Sequence, residues 1–255
     1  MDGRLIIGNE RIETAEKLVS ENPATREPAG EASVASEALC ERALQAAKDA
    51  YPLWRDMPAA VKREIFERAE KILERRAVEA GRLIALEKGS PYAESLAVEV
   101  FGALQSLSYY GRNQGRLLPP HKAKHYVPLF FNKKSAFHFH ALGPTLVISP
   151  WNFPFLIPFC DVLSALTAGN TVVLRPSTTT PLVALLLGEV FVEAGLPPGV
   201  LNVVVCRVPQ AESMITNPIV QTVMFTGSVG VGKRVMELCS RNLTNVTLEL
   251  GGKDP

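Results

Sequence analysis

From Gly143 onward the chain alternates short β-branched runs with helical segments, and no other feature restricts its fold so tightly. The pattern predicts strands at Thr145–Ser149, Thr171–Leu174, Leu201–Val205, Gln221–Phe225 and Val246–Leu250. Helices fit between them, at Phe155–Ala168, Pro181–Ala194, Pro209–Thr216 and Val229–Arg241, ending on Gly169, Gly195 or a polar turn. Five strands joined by four helices through right-handed crossovers make a mostly parallel sheet covered on both faces. Residues 143–255 are therefore expected to form a doubly wound, five-stranded, Rossmann-like α/β core.

The preceding residues read differently. Over 1–116 helices dominate. Ser36 caps one through about Tyr51, with Leu39, Ala43, Ala46, Ala47 and Ala50 on one face, and Pro52 and Pro58 bracket a break. A long amphipathic helix follows over Ala60–Glu87 and is stopped by Gly89-Ser90-Pro91, after which Tyr92–Gly111 is a further helix. Residues 117–142, with Pro119, Pro120 and Pro128, then the alternation of Ser135 to His140, suit an extended arm or hairpin and an oligomerisation element. His138 and His140 share a face of such a strand, but with no carboxylate or cysteine nearby in sequence no metal is assigned.

Composition removes several classes of function. Apolar residues make up 47% of the 255, and 27 Lys and Arg nearly cancel 26 Asp and Glu, so no strong field gathers nucleic acid or an anionic membrane. The apolar stretches are too short or too interrupted to span a bilayer, and Met1-Asp2-Gly3-Arg4 opens no secretory signal, which makes a cytoplasmic location the expectation. Cys40, Cys160, Cys206 and Cys239 lie far apart, without a CxxC pair, and read as reduced thiols, mostly buried.

In open α/β sheets ligands bind beyond the carboxyl ends of the strands. There this sequence places Pro150-Trp151-Asn152-Phe153-Pro154, then Arg175-Pro176-Ser177-Thr178, then Thr226-Gly227-Ser228, and Glu249 before Gly251-Gly252-Lys253. Asn152, fixed among bulky residues and prolines, has an amide suited to an oxyanion, and equally suits a cap for the helix at Phe155. Glu249 in an apolar strand is expected to be buried, with its carboxyl exchanging protons near neutral pH, or else paired structurally. The turn at Gly227-Ser228 opens a helix whose N–H groups suit a phosphate, though a sharp turn explains the glycine as well. Gly227 to Lys233 also imitates a nucleotide triphosphatase loop, but Arg234 stands where the Mg²⁺-binding hydroxyl would be.

Together, Pro150-Trp151-Asn152-Phe153-Pro154, Phe225-Thr226-Gly227-Ser228 and Leu248-Glu249-Leu250-Gly251-Gly252-Lys253, with Asn22-Pro23-Ala24-Thr25 and Glu87-Lys88-Gly89 before them, resemble the aldehyde dehydrogenase superfamily in order and spacing. The resemblance implies a cysteine thiolate that adds to an aldehyde, with NAD or NADP as oxidant and water cleaving the thioester. It implies that Asn152 stabilises the oxyanion and Glu249 activates water. Ser228 would contact the cofactor pyrophosphate, with Gly227 admitting the backbone, Trp151 flanking the cofactor and Leu250 offering its carbonyl. Ser149, Pro150, Arg175, Ser177, Thr178, Val231 and Gly251 complete the cofactor-binding set.

Departures from the family pattern qualify these roles. Arg175 replaces a lysine that holds the adenosine ribose, and Thr178 replaces a glutamate common in NAD users, which removes a charge that would repel a 2′-phosphate. The family's nucleophilic cysteine would follow Glu249 by a few tens of residues, past Pro255, so this chain by itself is expected to be inactive: a truncated enzyme, or a split one completed by a second chain. The alternatives are a non-catalytic dinucleotide-binding module and a decayed fragment. The aldehyde is the expected small-molecule partner, and its identity lies outside the sequence.

Overall fold

In the computed structural model, which describes residues 2–253, a seven-stranded sheet runs in the order β11-β10-β7-β8-β9-β1-β2. Its five parallel strands are those the alternation predicts: β7 (Thr145–Ile148), β8 (Val172–Arg175), β9 (Leu201–Val203), β10 (Thr222–Gly227) and β11 (Asn245–Leu250). The connecting helices are α5 (Leu156–Thr167), α6 (Pro181–Glu193), α7 (Val208–Ile215) and α8 (Val229–Ser240). The chain moves outward from β7 through α5, β8 and α6 to β9, then returns through α7 to place β10 on the other side of β7 and β11 beyond it. With right-handed crossovers, α5 and α6 cover one face and α7 and α8 the other, and the order reverses between β7 and β10.

The sheet is wider than expected because the amino-terminal segment contributes β1 (Leu5–Ile7) and β2 (Glu10–Ile12), a hairpin paired antiparallel to β9 through Ile6 and Val203. A second hairpin, β3 (Lys17–Glu21) with β4 (Pro28–Ser33), precedes the helices. Three-residue strands such as β1 are too short to show a period. Leu5, Ile6 and Ile7 are all buried because β9 offers an edge and α6 a cover.

Helix α1 (Glu37–Asp56) is capped by the Ser36 hydroxyl, which accepts from Leu39 N–H, as expected. It does not break at Pro52. The helix continues to Asp56 because fully buried Trp54 is anchored in the core, its indole N–H donating to Leu166 O at 3.0 Å. Helix α2 (Ala59–Lys88) closes on Gly89 in the left-handed conformation (φ +78°), and a Cβ there would meet Pro23 Cγ at 2.5 Å. A short α3 (Tyr92–Glu94), a π-helical turn over Ser95–Val100 and α4 (Phe101–Arg112) occupy the predicted third helix. α2 and α4 pack outside α6 and α5, and α1 lies on the side of α7.

The 117–142 segment carries an antiparallel hairpin, β5 (His121–Ala123) with β6 (Ser135–Phe137). The second strand ends before His138, so the strand face expected to align His138 with His140 is absent, and both rings are exposed.

Candidate functional site

The three motifs meet at one rim of the sheet. Ile148 is in register with Phe225, while Thr226 pairs with Glu249 and Gly227 with Leu250, so the carboxyl ends of β7, β10 and β11 lie side by side. Beyond β7 the chain enters the Trp151-Asn152 turn, and beyond β10 it enters α8 through Ser228. That is the switch point of the topology, where a parallel sheet opens a crevice between diverging loops.

The turn after β7 is held from outside. Glu99, fully buried in the π-helical turn, accepts from Phe155 N–H at 2.9 Å and Leu156 N–H at 3.4 Å, occupying the amino terminus of α5. Lys88 Nζ donates to Glu99 Oε1 at 3.1 Å and lies 4.4 Å from the Phe153 ring centroid. Glu99 is not distinguishable in the sequence from a charge on a solvated helix face, and Lys88 stands there only within Glu87-Lys88-Gly89, with no role attached to it. Their consequence is direct: since Glu99 caps α5, Asn152 does not, and its exposed side chain has no hydrogen-bond partner among the described residues. The capping alternative for Asn152 is set aside by this arrangement.

Glu249 departs from its expectation. It is exposed, because β11 forms the sheet edge and the alternation in β11 sends Leu248 and Leu250 toward α8 but Glu249 toward the α5 side. Across from it, the carboxyl of Asp161 in α5 is pushed up to about 6 by burial, with the negative charge of Glu249 adding to it. Its Oδ2 is buried without a hydrogen-bond partner among the described residues. An isolated aspartate inside an apolar helix gave no sequence signal beyond its interruption of a hydrophobic run.

On the other side of the switch point, Ser228 caps α8, its hydroxyl accepting from Val231 N–H at 3.4 Å. Ser149 and Arg175 end neighbouring strands, joined by Ser149 N–H to Arg175 O at 3.2 Å. Ser149 Oγ and Arg175 Nε are both buried without a partner among the described residues, an uncommon state that a polar ligand would relieve. Ser177 accepts from Thr179 N–H at 3.2 Å, and Thr178 beside it is half-buried. Pro150 lies beside the exposed Trp151, and exposed Gly251 donates its N–H to Gly227 O at 3.2 Å.

Between α7 and α8 lies an apolar crevice of about 110 Å³, lined by Val208, Ala211, Ile215, Val231, Val235 and Leu238 and closed below by Ile148, Arg175 and Phe225. Of these only Arg175 and Val231 belong to the candidate set from sequence. The others have helical spacing that reads as core, and nothing in a sequence shows that two helices leave a slot between them.

A family model described as "Aldehyde dehydrogenase family" matches residues 11–255. The chain belongs to the aldehyde dehydrogenase family. Among relatives of this family, the 1-pyrroline-5-carboxylate dehydrogenases of Bacillus cereus (strain B4264) and Bacillus thuringiensis (strain Al Hakam) are each 38% identical over 263 aligned positions. These alignments cover 99% of this chain and 50% of each relative, so the chain spans about half the length of the curated relatives it matches. Among solved structures, an E. coli NADP-dependent enzyme superposes with a TM-score of 0.93 at 30% identity, covering 99% of this chain and 52% of that one. An NAD⁺ complex of aldehyde dehydrogenase from Bacillus cereus superposes with a TM-score of 0.92 at 28% identity, covering 100% and 52%. The fold class expected from the sequence is that of these solved structures. Among the described residues no helix is long and apolar enough to cross a membrane.

Proposed function

We propose that this chain supplies the dinucleotide-binding half of an NAD(P)-dependent aldehyde dehydrogenase, oxidising an aldehyde to a carboxylic acid. The observation that carries the reading is the convergence of the Asn152 turn, the Ser228 cap and Glu249 on the rim where β7, β10 and β11 end. The residues fit a dinucleotide. The crevice between α7 and α8 takes a flat apolar ring, the α8 amino terminus with Ser228 receives the pyrophosphate, and Arg175 and Ser149 offer their unpartnered polar atoms to the intervening sugar. When bound, the dinucleotide is the two-electron acceptor.

This chain's residues then act at the reacting carbon. Asn152, kept free by Glu99, donates its amide N–H to the developing oxyanion, where such a donor stabilises the transition state by roughly 3 to 4 kcal/mol. Glu249 takes the proton of the water that cleaves the acyl intermediate, and as an exposed carboxylate on the α5 side it has access to that water. The nucleophilic cysteine is proposed to come from residues outside this chain, either carboxyl-terminal to it or in a complementing second chain. None of Cys40, Cys160, Cys206 and Cys239 stands on the rim with Asn152 and Glu249.

Arg175 and Thr178, with no carboxylate from that turn, suit a 2′-phosphate as well as a 2′-hydroxyl, so NADP is accepted along with NAD. The hairpin segment exposes Tyr126, Leu129, Phe131 and Phe137, an apolar surface that serves self-association. The direct test is titration of the purified chain with NAD⁺ and NADP⁺ by isothermal titration calorimetry. Saturation in the micromolar to millimolar range is expected, and no saturable binding by millimolar cofactor refutes the reading.

A further inference from the structure

Two motifs of the sequence, Asn22-Pro23-Ala24-Thr25 and Glu87-Lys88-Gly89, have no direct part in the reacting rim, and the structure brings them together behind the turn that carries Ser177 and Thr178. Pro23 packs on Gly89 and leaves no room there for a Cβ. On β3, which leads into the first motif, buried Ser20 donates its hydroxyl to Thr179 O at 3.4 Å. At the end of α2, Glu87 is 1% exposed and accepts from Leu182 N–H at 3.1 Å through Oε1 and from Val183 N–H at 2.8 Å through Oε2. From β4, Gly30 rests on Leu182, where a Cβ would lie 2.7 Å from Leu182 Cδ1.

These contacts replace a cap that α6 could have supplied for itself. Thr180 is the N-cap residue of α6, and a threonine there ordinarily accepts from an N–H two or three residues on. Its hydroxyl makes no such bond, and Oγ1 is buried without a partner among the described residues. Pro181 has no N–H, so Leu182 and Val183 carry the first two amides of the helix, and a carboxyl group 95 and 96 residues earlier in the chain holds both. A local cap would fix the helix end only to its own segment. Glu87 and Ser20 fix it to α2 and β3. The residues 176–180 join Arg175 at the end of β8 to α6, and they fold back on themselves: Thr179 N–H donates to Ser177 Oγ at 3.2 Å and Thr180 N–H to Ser177 O at 3.4 Å. The sheet fixes one end of this turn through β8, and Glu87 with Ser20 fixes the other, so the place of Thr178 relative to Arg175 is set from both sides.

We propose that Glu87, assisted by Ser20, is a positioning residue for cofactor specificity: it sets how the 176–180 turn meets the 2′ end of the adenosine ribose, and so how far NADP⁺ is preferred over NAD⁺. This rests on the proposed dinucleotide site. Ser177 and Thr178 meet the ribose from the turn, whereas Arg175 reaches it from β8 and keeps its place when the start of α6 moves. A 2′-phosphate draws on donors from both, and a 2′-hydroxyl is satisfied by fewer, so loosening the turn weakens NADP⁺ more than NAD⁺. A residue that only stabilised the fold would lower both affinities alike, or neither.

Isothermal titration calorimetry of the folded chain with NAD⁺, NADP⁺ and adenosine 2′,5′-bisphosphate, which carries the 2′ end without the nicotinamide, tests this role. In Glu87→Ala, NADP⁺ and the bisphosphate are expected to bind about tenfold more weakly, and NAD⁺ less than about threefold. Glu87→Gln keeps one acceptor oxygen for two amides and should fall between parent and Glu87→Ala, while Ser20→Ala should move the ratio of the two affinities about twofold in the same direction. Gly199→Ala, a strained position before the amino end of β9 and away from the turn, is expected to lose stability and keep the parent's ratio. If Glu87→Ala shows no cooperative urea transition, Glu87→Gln and Ser20→Ala decide. An unchanged ratio in the folded variants, with stability lowered, overturns the proposal and leaves the cofactor reading standing. A parent chain that binds neither dinucleotide overturns the cofactor reading, and this role with it.

Discussion

Replacing Glu99 with alanine tests whether the Asn152 turn is positioned by a buried ion pair. Glu99 is 0% exposed and Lys88 12% at the side chain, and their 3.1 Å contact is shared with two backbone N–H donors of α5. Removing one partner of a buried pair costs about 3 to 5 kcal/mol, because the remaining charge and amides stay desolvated. Glu99→Gln keeps an acceptor for Phe155 N–H but loses the charge, and the weakening of charge-assisted bonds predicts a loss of about 1.5 to 3 kcal/mol. Lys88→Met combined with Glu99→Gln should be less damaging than the sum of the single changes, with a coupling of about 1 to 3 kcal/mol. Urea denaturation followed by circular dichroism measures each value, and Trp151 emission, obtained by subtracting the spectrum of a Trp151→Phe variant that keeps buried Trp54, reports the turn itself. A Glu99→Ala variant within about 1 kcal/mol of the parent, with unchanged Trp151 emission, would refute the claim that this pair holds the turn.

Glu87, buried and accepting from Leu182 and Val183 N–H at 3.1 and 2.8 Å, caps α6, and burial pushes its carboxyl from 4.5 up to about 7. The folded chain therefore holds this proton more tightly than the unfolded one, so the contribution is full below pH 4.5 and is lost as pH rises through 7, an effect of up to about 3 kcal/mol. Asp161 acts in the same direction, so the difference between the parent and Glu87→Gln in urea denaturation at pH 4.5 and 7.5 isolates Glu87, and a parallel pair of profiles contradicts the assignment. Asn152→Ala should leave stability within about 0.5 kcal/mol, since its exposed amide makes no hydrogen bond among the described residues, and a larger loss in thermal unfolding would show a structural role. Thr178→Glu should shift preference from NADP⁺ toward NAD⁺ by about tenfold in a binding titration, and no change would place the 2′ position elsewhere. Gly199→Ala should cost about 2 kcal/mol or more in denaturation, because its φ of +82° disfavours a side chain and a Cβ would lie 2.5 Å from Ala46 O.

Much of the site was legible because strand and turn chemistry are local. The β-branched runs predicted the parallel strands, a glycine or polar turn marked each helix end, and a ligand rim follows from where parallel strands stop, so Asn152, Ser228 and Glu249 were found by asking what stands after each strand. The β1–β2 hairpin was not legible, since three residues cannot show a period and their burial depends on an edge almost 200 residues away. The same limit hid Glu99 and the role of Lys88, which exist only because a π-helical turn faces the amino terminus of α5.

By itself the sequence determined the alternating core, the carboxyl-end motifs and their family, because each is written in neighbouring residues. Tertiary structure alone decided which charges are buried and which backbone amides they hold. Glu249 is exposed while burial pushes Asp161 up to about 6, and Glu87 reaches the amino terminus of α6 across more than 90 residues of chain. Desolvation and charge proximity arise only when distant segments pack, and no local pattern of residue types encodes them.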